Sequence, residues 1–252
     1  MNLLNVCFYL RRFFLIVELA IKYFIVSLIE QNECIRCGAI SNGLPLCKRC
    51  LSNFFSFSQF NTERRCRVCG KELVSEIEIC MECRDKPVLV SIDKFYPIHS
   101  YRLWKKTLLF HWKMENERLL SVVFAMLLRK AIVSVQKESL PIVPVPPRPG
   151  KIKRKGWDQI DDICYYLNRL YNFEILDMLE RTSNIEQKKM NRENRLVSQK
   201  YVQNMAFRKP IPDKIILIDD VMTTGATLEN CANVLKKIGV KEVYGFSLFV
   251  VE

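Results

Sequence analysis

One segment near the C-terminus constrains the fold of this chain more than any other. The apolar run 215–218 is followed by Asp219 and Asp220, and then by a Thr-Thr-Gly sequence before a helical pattern begins near Thr227. An uninterrupted apolar run bounded in this way is typical of a strand buried on both faces, as in a parallel sheet. Ligands of such sheets collect beyond the carboxyl ends of the strands, which is where these polar residues lie.

The residues after this predicted strand suit a phosphorylated sugar. The loop offers backbone N–H groups and threonine hydroxyls to a phosphate, the helix adds its positive end, and a glycine allows close approach. Two carboxylates would repel an anion, but they can accept hydrogen bonds from ribose hydroxyls. The candidate residues are Asp219, Asp220, Thr223, Thr224, Gly225, Ala226 and Thr227. The alternative is a strand-to-helix turn in which these side chains only cap the helix.

A second segment brings positive charge. The predicted strand from Leu140 to Val145 ends in two prolines, which prevent it from continuing within the sheet. The cations that follow, with no acid among them, are Arg148, Lys151, Lys153, Arg154 and Lys155. We expect this loop to hold a diphosphate, and its candidate residues are Pro146, Arg148, Arg154 and Lys155. A solvated basic loop is the alternative.

A polar and mostly basic stretch covers residues 181–200 and contributes Arg192 as a further candidate for the diphosphate. Long connections in compact domains are commonly lids or binding loops. A mobile basic flap over the diphosphate and a merely solvated helix both fit this stretch.

Apolar strand patterns alternate with helical patterns along the second half of the chain. Strands are predicted near 88–96, 140–145, 214–218 and 243–251, and helices near 118–136, 160–171 and 227–238. This alternation predicts an α/β domain with a mostly parallel sheet and helices on both faces.

Eight of the 11 cysteines form four Cys-x-x-Cys pairs. They are Cys34, Cys37, Cys47, Cys50, Cys66, Cys69, Cys80 and Cys83. Two such pairs complete a closed tetrahedral zinc site, so we expect two structural zinc ions. Grouping the first four and the last four requires the shorter loops and is preferred to a crossed arrangement. Iron–sulfur ligation and redox dithiols are the alternatives.

The pattern predicts three parts: an amphipathic helix at 1–33, a double zinc-binding module at 34–86 and the α/β domain at 87–252. The apolar run near the N-terminus is interrupted by Glu18 and Lys22, so we expect no transmembrane span and no export signal. Reduced thiols that bind zinc indicate the cytoplasm. The net charge of +12 indicates a phosphate-bearing partner without saying whether it is a nucleic acid or a metabolite.

The order of these elements, from Cys34 to the C-terminus, resembles the ComF family of phosphoribosyltransferase-like proteins associated with natural competence. The loop after the acid pair resembles the signature of type I phosphoribosyltransferases. The resemblance implies binding of 5-phosphoribosyl-1-diphosphate with Mg²⁺, with the acids on the ribose and the loop around the 5-phosphate. It also implies a role in DNA uptake.

The sequence departs from the family pattern in one motif. Residues 155–159 read Lys-Gly-Trp-Asp-Gln, where the family usually has Arg-Gly-Phe-Asn-Gln. Lysine lacks the bidentate fork of arginine, and the carboxylate of Asp158 lacks the donor of an asparagine. Lys155 and Asp158 are therefore the two positions to which the family's roles transfer least securely.

Two further functions stay open. The domain could be an active phosphoribosyltransferase that uses a nucleobase or amine acceptor, although no catalytic residue is identified. It could instead be inactive, in an adaptor that binds single-stranded DNA through basic and aromatic residues. The chain has no G-x-x-x-x-G-K-[ST] motif, so any helicase of the competence machinery would be a separate partner.

Overall fold

The computed structural model describes residues 33–41, 43–56, 64–182 and 200–251, together with Val17, Glu18 and Ile21. Apart from these residues, the predicted helix at 1–33 lies outside the described part of the chain. The described residues form two compact units. The first contains 33–41, 43–56, 102–137 and 162–173, and the second contains 64–101, 138–161, 174–182 and 200–251.

The structure contains six strands and seven helices among these residues. The strands are β1 (Lys94–Ser100), β2 (Ile142–Pro144), β3 (Leu179–Arg181), β4 (Tyr201–Gln203), β5 (Lys214–Met222) and β6 (Glu242–Val250). The helices are α1 (Lys48–Phe55), α2 (Met81–Asp85), α3 (Trp104–Lys113), α4 (Leu120–Val135), α5 (Lys151–Lys155), α6 (Gln159–Tyr171) and α7 (Ala226–Lys237).

A four-stranded, fully parallel sheet lies at the centre of the second unit. Its strand order is β1-β6-β5-β2, and β3 and β4 form a separate antiparallel pair. Residues 215–218 of β5 are fully buried, as are Val243 and Phe246 of β6, which explains their uninterrupted apolar sequences. The predicted mostly parallel sheet is therefore confirmed.

Helix α7 covers part of this sheet with one apolar face. Its buried residues Leu228, Cys231, Ala232 and Leu235 recur at the spacing of a helical face. They share a hydrophobic core with Ile215, Leu217 and Val243. This shared core thus packs α7 against β5, the strand that carries the acid pair.

The first unit is helical and is built around aromatic side chains. Phe54 of α1 contacts the rings of Trp104 and Phe124 at centroid distances of 5.5 and 6.1 Å, and Trp112 lies 4.7 Å from Phe124. Arg118 donates two hydrogen bonds to Asp162 of α6, at 3.0 and 2.7 Å. None of the helices in the described ranges is long and apolar enough to cross a bilayer.

The sequence did not predict helices α1, α2, α3 and α5 or strands β3 and β4, and the bounds of β1 and β5 differ from those expected. Helix α3 was not predicted, because only Leu108, Leu109 and Trp112 on it are buried and the apolar pattern is weak. Strand β1 begins at Lys94 rather than near residue 88. Strand β5 continues through the acid pair to Met222, since Val221 and Met222 still align with Phe249 and Val250 of β6.

The hydrogen bond from Trp112 Nε1 to Ser121 Oγ, 2.8 Å long, gives a test of the helical unit. Both residues are fully buried, so Ser121→Ala leaves the indole N–H without its acceptor. We expect the free energy of unfolding to fall by about 1–3 kcal/mol. Ser134→Ala is the matched control, because Ser134 bonds only to the carbonyl of Ala131 in its own helix. Chemical denaturation measures the free energy of unfolding of both variants. Equal values for the two would contradict this account.

Candidate ligand loop and cysteine clusters

Residues 223–227, which connect β5 to α7 and include the first two residues of that helix, are called the ligand loop here. Gly225 adopts a left-handed conformation with φ 74° and ψ −12° immediately before the helix. A Cβ atom on Gly225 would lie 2.6 Å from Cγ1 of Val88 and 3.2 Å from Cδ2 of Leu89. Both the backbone angle and the close packing therefore require glycine at this position.

The ligand loop presents polar groups at the carboxyl end of β5. Thr223, Thr224 and Ala226 are exposed, and Thr227 is half-buried. Among the described residues, no hydrogen bond is made by the backbone N–H groups of Thr223, Thr224 and Gly225. These donors precede the positive end of a 12-residue helix. The arrangement predicted from the sequence, a group of N–H donors at a helix start, is present and suits an anion.

The acid pair is held by the strand itself. Asp219 and Asp220 are half-buried within β5, and Asp219 is in register with the buried Ser247 of β6. The Oδ1 atom of Asp219 accepts a hydrogen bond from the backbone N–H of Asp220 at 2.8 Å. Strand pairing thus fixes the backbone of Asp219 and Asp220 next to the ligand loop.

Three residues that the sequence analysis did not single out as site residues surround Asp219 and Thr227. Burial raises the pKa of Tyr201, and its side-chain hydrogen bond with Thr227 partly offsets that rise. Arg181, the register partner of Tyr201, has its guanidinium 5.3 Å from the Tyr201 ring centroid. Burial and the nearby Asp219 carboxylate raise the pKa of Cys231. The sequence analysis included Arg181 only within the basic stretch 181–200. No local pattern marks Tyr201 and Cys231, because β3, β4 and α7 bring the three residues together from distant positions.

The predicted diphosphate loop leaves the same edge of the sheet. Pro144 of β2 is in register with Ile218, and the N–H of Val145 donates to the carbonyl of Ile218 at 3.0 Å. The loop from Pro146 onward therefore starts beside Asp219. Of its candidate cations, Arg148 and Arg154 are exposed, while Lys155 has its Nζ 4.8 Å from the Trp157 ring centroid.

Asp158, the unusual residue of its motif, has a structural role. It is 3% exposed, and its Oδ1 accepts hydrogen bonds from the N–H groups of Ile160 and Asp161 at 2.8 and 3.3 Å. Its Oδ2 pairs with Lys151 Nζ at 2.5 Å. An N-cap requires acceptors only, so the lack of a donor at this position does no harm to helix α6. Arg192 and most of the 181–200 stretch lie outside the described residues.

The eight paired cysteines form two separate groups, as the sequence predicted. Cys34, Cys37, Cys47 and Cys50 make one cluster, and Cys66, Cys69, Cys80 and Cys83 make the other. The sulfur atoms within each cluster all lie within 4.8 Å of one another. Four thiolate donors around one point fit a closed zinc site, which serves structure rather than catalysis.

The thiol pKa values differ within each cysteine cluster. Burial and neighbouring thiols raise the pKa of Cys50 to about 12 and that of Cys83 to about 11. At Cys34 and Cys66, backbone hydrogen bonds outweigh burial and lower the pKa to about 7. Each cluster thus contains one thiol whose pKa is lowered and at least one whose pKa is raised.

The fold and these groups define an α/β protein with a mostly parallel sheet, a polar loop at its carboxyl edge and two cysteine clusters suited to zinc. The chain is 29% identical to competence protein ComFC of Streptococcus pneumoniae over 206 residues. This match covers 81% of this chain and 86% of that protein. It is 28% identical over 230 residues to competence protein F of Haemophilus influenzae, covering 86% and 96% respectively. No protein-family model matches the chain. The chain is thus homologous to ComFC-type competence proteins over most of its length, which confirms the resemblance inferred from its sequence.

Zinc content tests the cysteine clusters directly. We expect the purified full chain to carry one zinc ion per cluster, two in all, because each cluster supplies four sulfur donors. Cys34→Ser and Cys66→Ser should each remove one ion and leave the other. Elemental analysis by mass spectrometry measures both values. Iron in place of zinc, with visible charge-transfer absorption, would instead support iron–sulfur ligation.

Proposed function

We propose that this chain binds 5-phosphoribosyl-1-diphosphate with Mg²⁺ and acts as a ComF-type protein that supports DNA uptake. The observation that carries the proposal is the fixed sequence of acid pair, ligand loop and helix start at the carboxyl edge of a parallel sheet. The names of the two homologues support the competence role. Cysteine clusters that require reduced thiols favour a cytoplasmic protein.

Each part of the ligand matches a different part of this edge. The ribose hydroxyls would donate to the carboxylates of Asp219 and Asp220, which strand pairing holds in place. The 5-phosphate would accept hydrogen bonds from the N–H groups of Thr223, Thr224 and Gly225 and from the loop hydroxyls. The ligand thus gives the acids hydrogen-bond donors and gives the loop an anion.

The diphosphate would lie toward the loop that follows β2. Arg148 and Arg154 are exposed there, and guanidinium groups bind phosphate oxygens in bidentate fashion. Pro146, Lys155 and Arg192 complete the predicted set. Arg181, held over Tyr201 near Asp219, is a further cation on this side. Mg²⁺ would neutralise the diphosphate, with most of its ligands supplied by the bound molecule and water.

Transfer chemistry would follow from the same arrangement. A nucleophile would attack the anomeric carbon and release pyrophosphate, while the chain would hold the ribosyl group and the leaving group in line. The described residues identify no group that would select an acceptor. Donor binding is therefore the property to test first, and transfer to a nucleobase or amine is the second.

Calorimetric titration of the zinc-loaded protein with phosphoribosyl diphosphate and Mg²⁺ tests the proposal. We expect saturable binding that Asp219→Asn/Asp220→Asn weakens at least about a hundredfold, because charge-assisted hydrogen bonds to the ribose are lost. Simple electrostatics predicts the opposite sign, since removing two negative charges should favour an anionic ligand.

Asp213→Asn is the matched control for this titration. Asp213 precedes the amino end of β5 and pairs there with Lys241, so this variant should bind like the unaltered protein. Absence of binding by the unaltered protein would refute the proposal. Single-stranded DNA should then be titrated, since the adaptor function becomes the better explanation of the net positive charge.

A further inference from the structure

The two cysteine clusters differ in what surrounds them. All four cysteines of the second cluster, residues 66–83, are buried, and they share one hydrophobic core with β5 and α7. Gly70, beside Cys69, lies so close to β1 that a Cβ atom there would be 2.2 Å from Cδ of Pro97. The first cluster belongs to the helical unit, and its Cys37 is exposed. Among the described residues, it is the second cluster that shares the core containing β5 and α7.

A short segment leads from the second cluster to the ligand loop. Residues 88–91, called the strap here, follow helix α2, which contains Cys83. Val88 and Leu89 of the strap occupy the space that a side chain on Gly225 would need. The strap therefore packs directly against the left-handed residue that turns the chain from β5 into α7.

One carboxylate holds the strap to the start of α7. Glu229 accepts a hydrogen bond from the N–H of Val90 at 2.8 Å and one from the N–H of Ser91 at 3.0 Å. It also accepts one from the hydroxyl of Ser91 at 2.7 Å. Glu229 lies in the first turn of α7, and its own N–H bonds to the carbonyl of Gly225 at 2.9 Å. The strap and the first helical turn thus share one acid.

We propose that Glu229 is a positioning residue for the ligand loop and that it links metal occupancy of the second cysteine cluster to the conformation of that loop. A bound metal orders residues 66–83, their packing places the strap, and Glu229 transmits that placement to the first turn of α7. Coupling of this kind is reciprocal, so loosening the strap must also weaken metal binding at the second cluster. The first cluster has no part in this linkage.

Hydrogen exchange of the full-length, zinc-loaded chain tests the role of Glu229. Glu229→Gln removes the charge and leaves one carbonyl oxygen for the three donors. We expect the hydrogen-bonded amides in residues 229–232 to exchange about tenfold faster, since the first turn of α7 opens more often. Glu242→Gln is the matched control, because Glu242 lies at the amino end of β6 and pairs with Lys214. It should leave this region unchanged.

Two matched pairs of cysteines test the difference between the clusters. Cys37 and Cys47 in the first cluster, and Cys69 and Cys80 in the second, each place their sulfur atoms 3.7 Å apart. Cys69→Ser/Cys80→Ser should speed exchange at 229–232, whereas Cys37→Ser/Cys47→Ser should not. Equal effects of the two pairs would overturn the proposal.

If Cys69→Ser/Cys80→Ser unfolds the whole unit, the linkage can be tested in the opposite direction, by the effect of Glu229→Gln on zinc binding. In the Cys37→Ser/Cys47→Ser background only the second cluster binds zinc, and competition with a chromogenic chelator gives its affinity. Adding Glu229→Gln should lower that affinity about tenfold, although Glu229 is not a ligand. Unchanged zinc affinity together with unchanged exchange would refute the linkage. None of these readouts uses phosphoribosyl diphosphate, so failure of ligand binding is a separate result.

Discussion

The close fit at Gly225 is the constraint on which the rest of the α/β unit depends. The residue has a positive φ, and the side chains of Val88 and Leu89 fill the position that its Cβ would occupy. Because Gly225 adopts this conformation, α7 begins after the short connection 223–225 and buries its apolar face on the same sheet as β5. Those N–H donors of the ligand loop that have no acceptor among the described residues are placed at the start of α7 by that turn. The same contact makes the loop dependent on a segment that lies far away in sequence.

Preorganisation of the acid pair follows from strand pairing rather than from the loop. Strand β5 stays in register with β6 as far as Met222, so Asp219 and Asp220 are strand residues with a fixed backbone. Their carboxylates are half-buried, which limits the water that a ligand would have to displace. Groups held on rigid elements keep their geometry better than groups held on loops alone. The edge of this sheet therefore combines two acids on a strand with a short loop in which Thr223 and Thr224 are exposed.

Sequence patterns predicted the parts of this structure that depend on local periodicity. The buried strand, the apolar face of α7 and the four cysteine pairs each follow from spacing within a few residues, and all are present. The strap was interpreted as the start of a strand, because its apolar residues resemble one. Its N–H groups instead bond to Glu229, 138 and 139 residues away, and no local pattern reveals such a partner. Tyr201 was missed for the same reason, and Arg181 was considered only as part of the basic stretch 181–200.

The buried position of Asp158 affects which cations of the basic loop are available to the proposed diphosphate. Lys151 is the ion-pair partner of Asp158, and removing one partner of a buried pair leaves the other charge uncompensated. Lys151 is therefore committed to the start of α6, and Lys155 lies over Trp157. The exposed guanidinium groups of Arg148 and Arg154 are better suited to phosphate oxygens than lysine in any case. The basic segment thus contains a lysine that stabilises the loop, Lys151, and exposed arginines that are available to a ligand, Arg148 and Arg154. Composition alone does not show this difference.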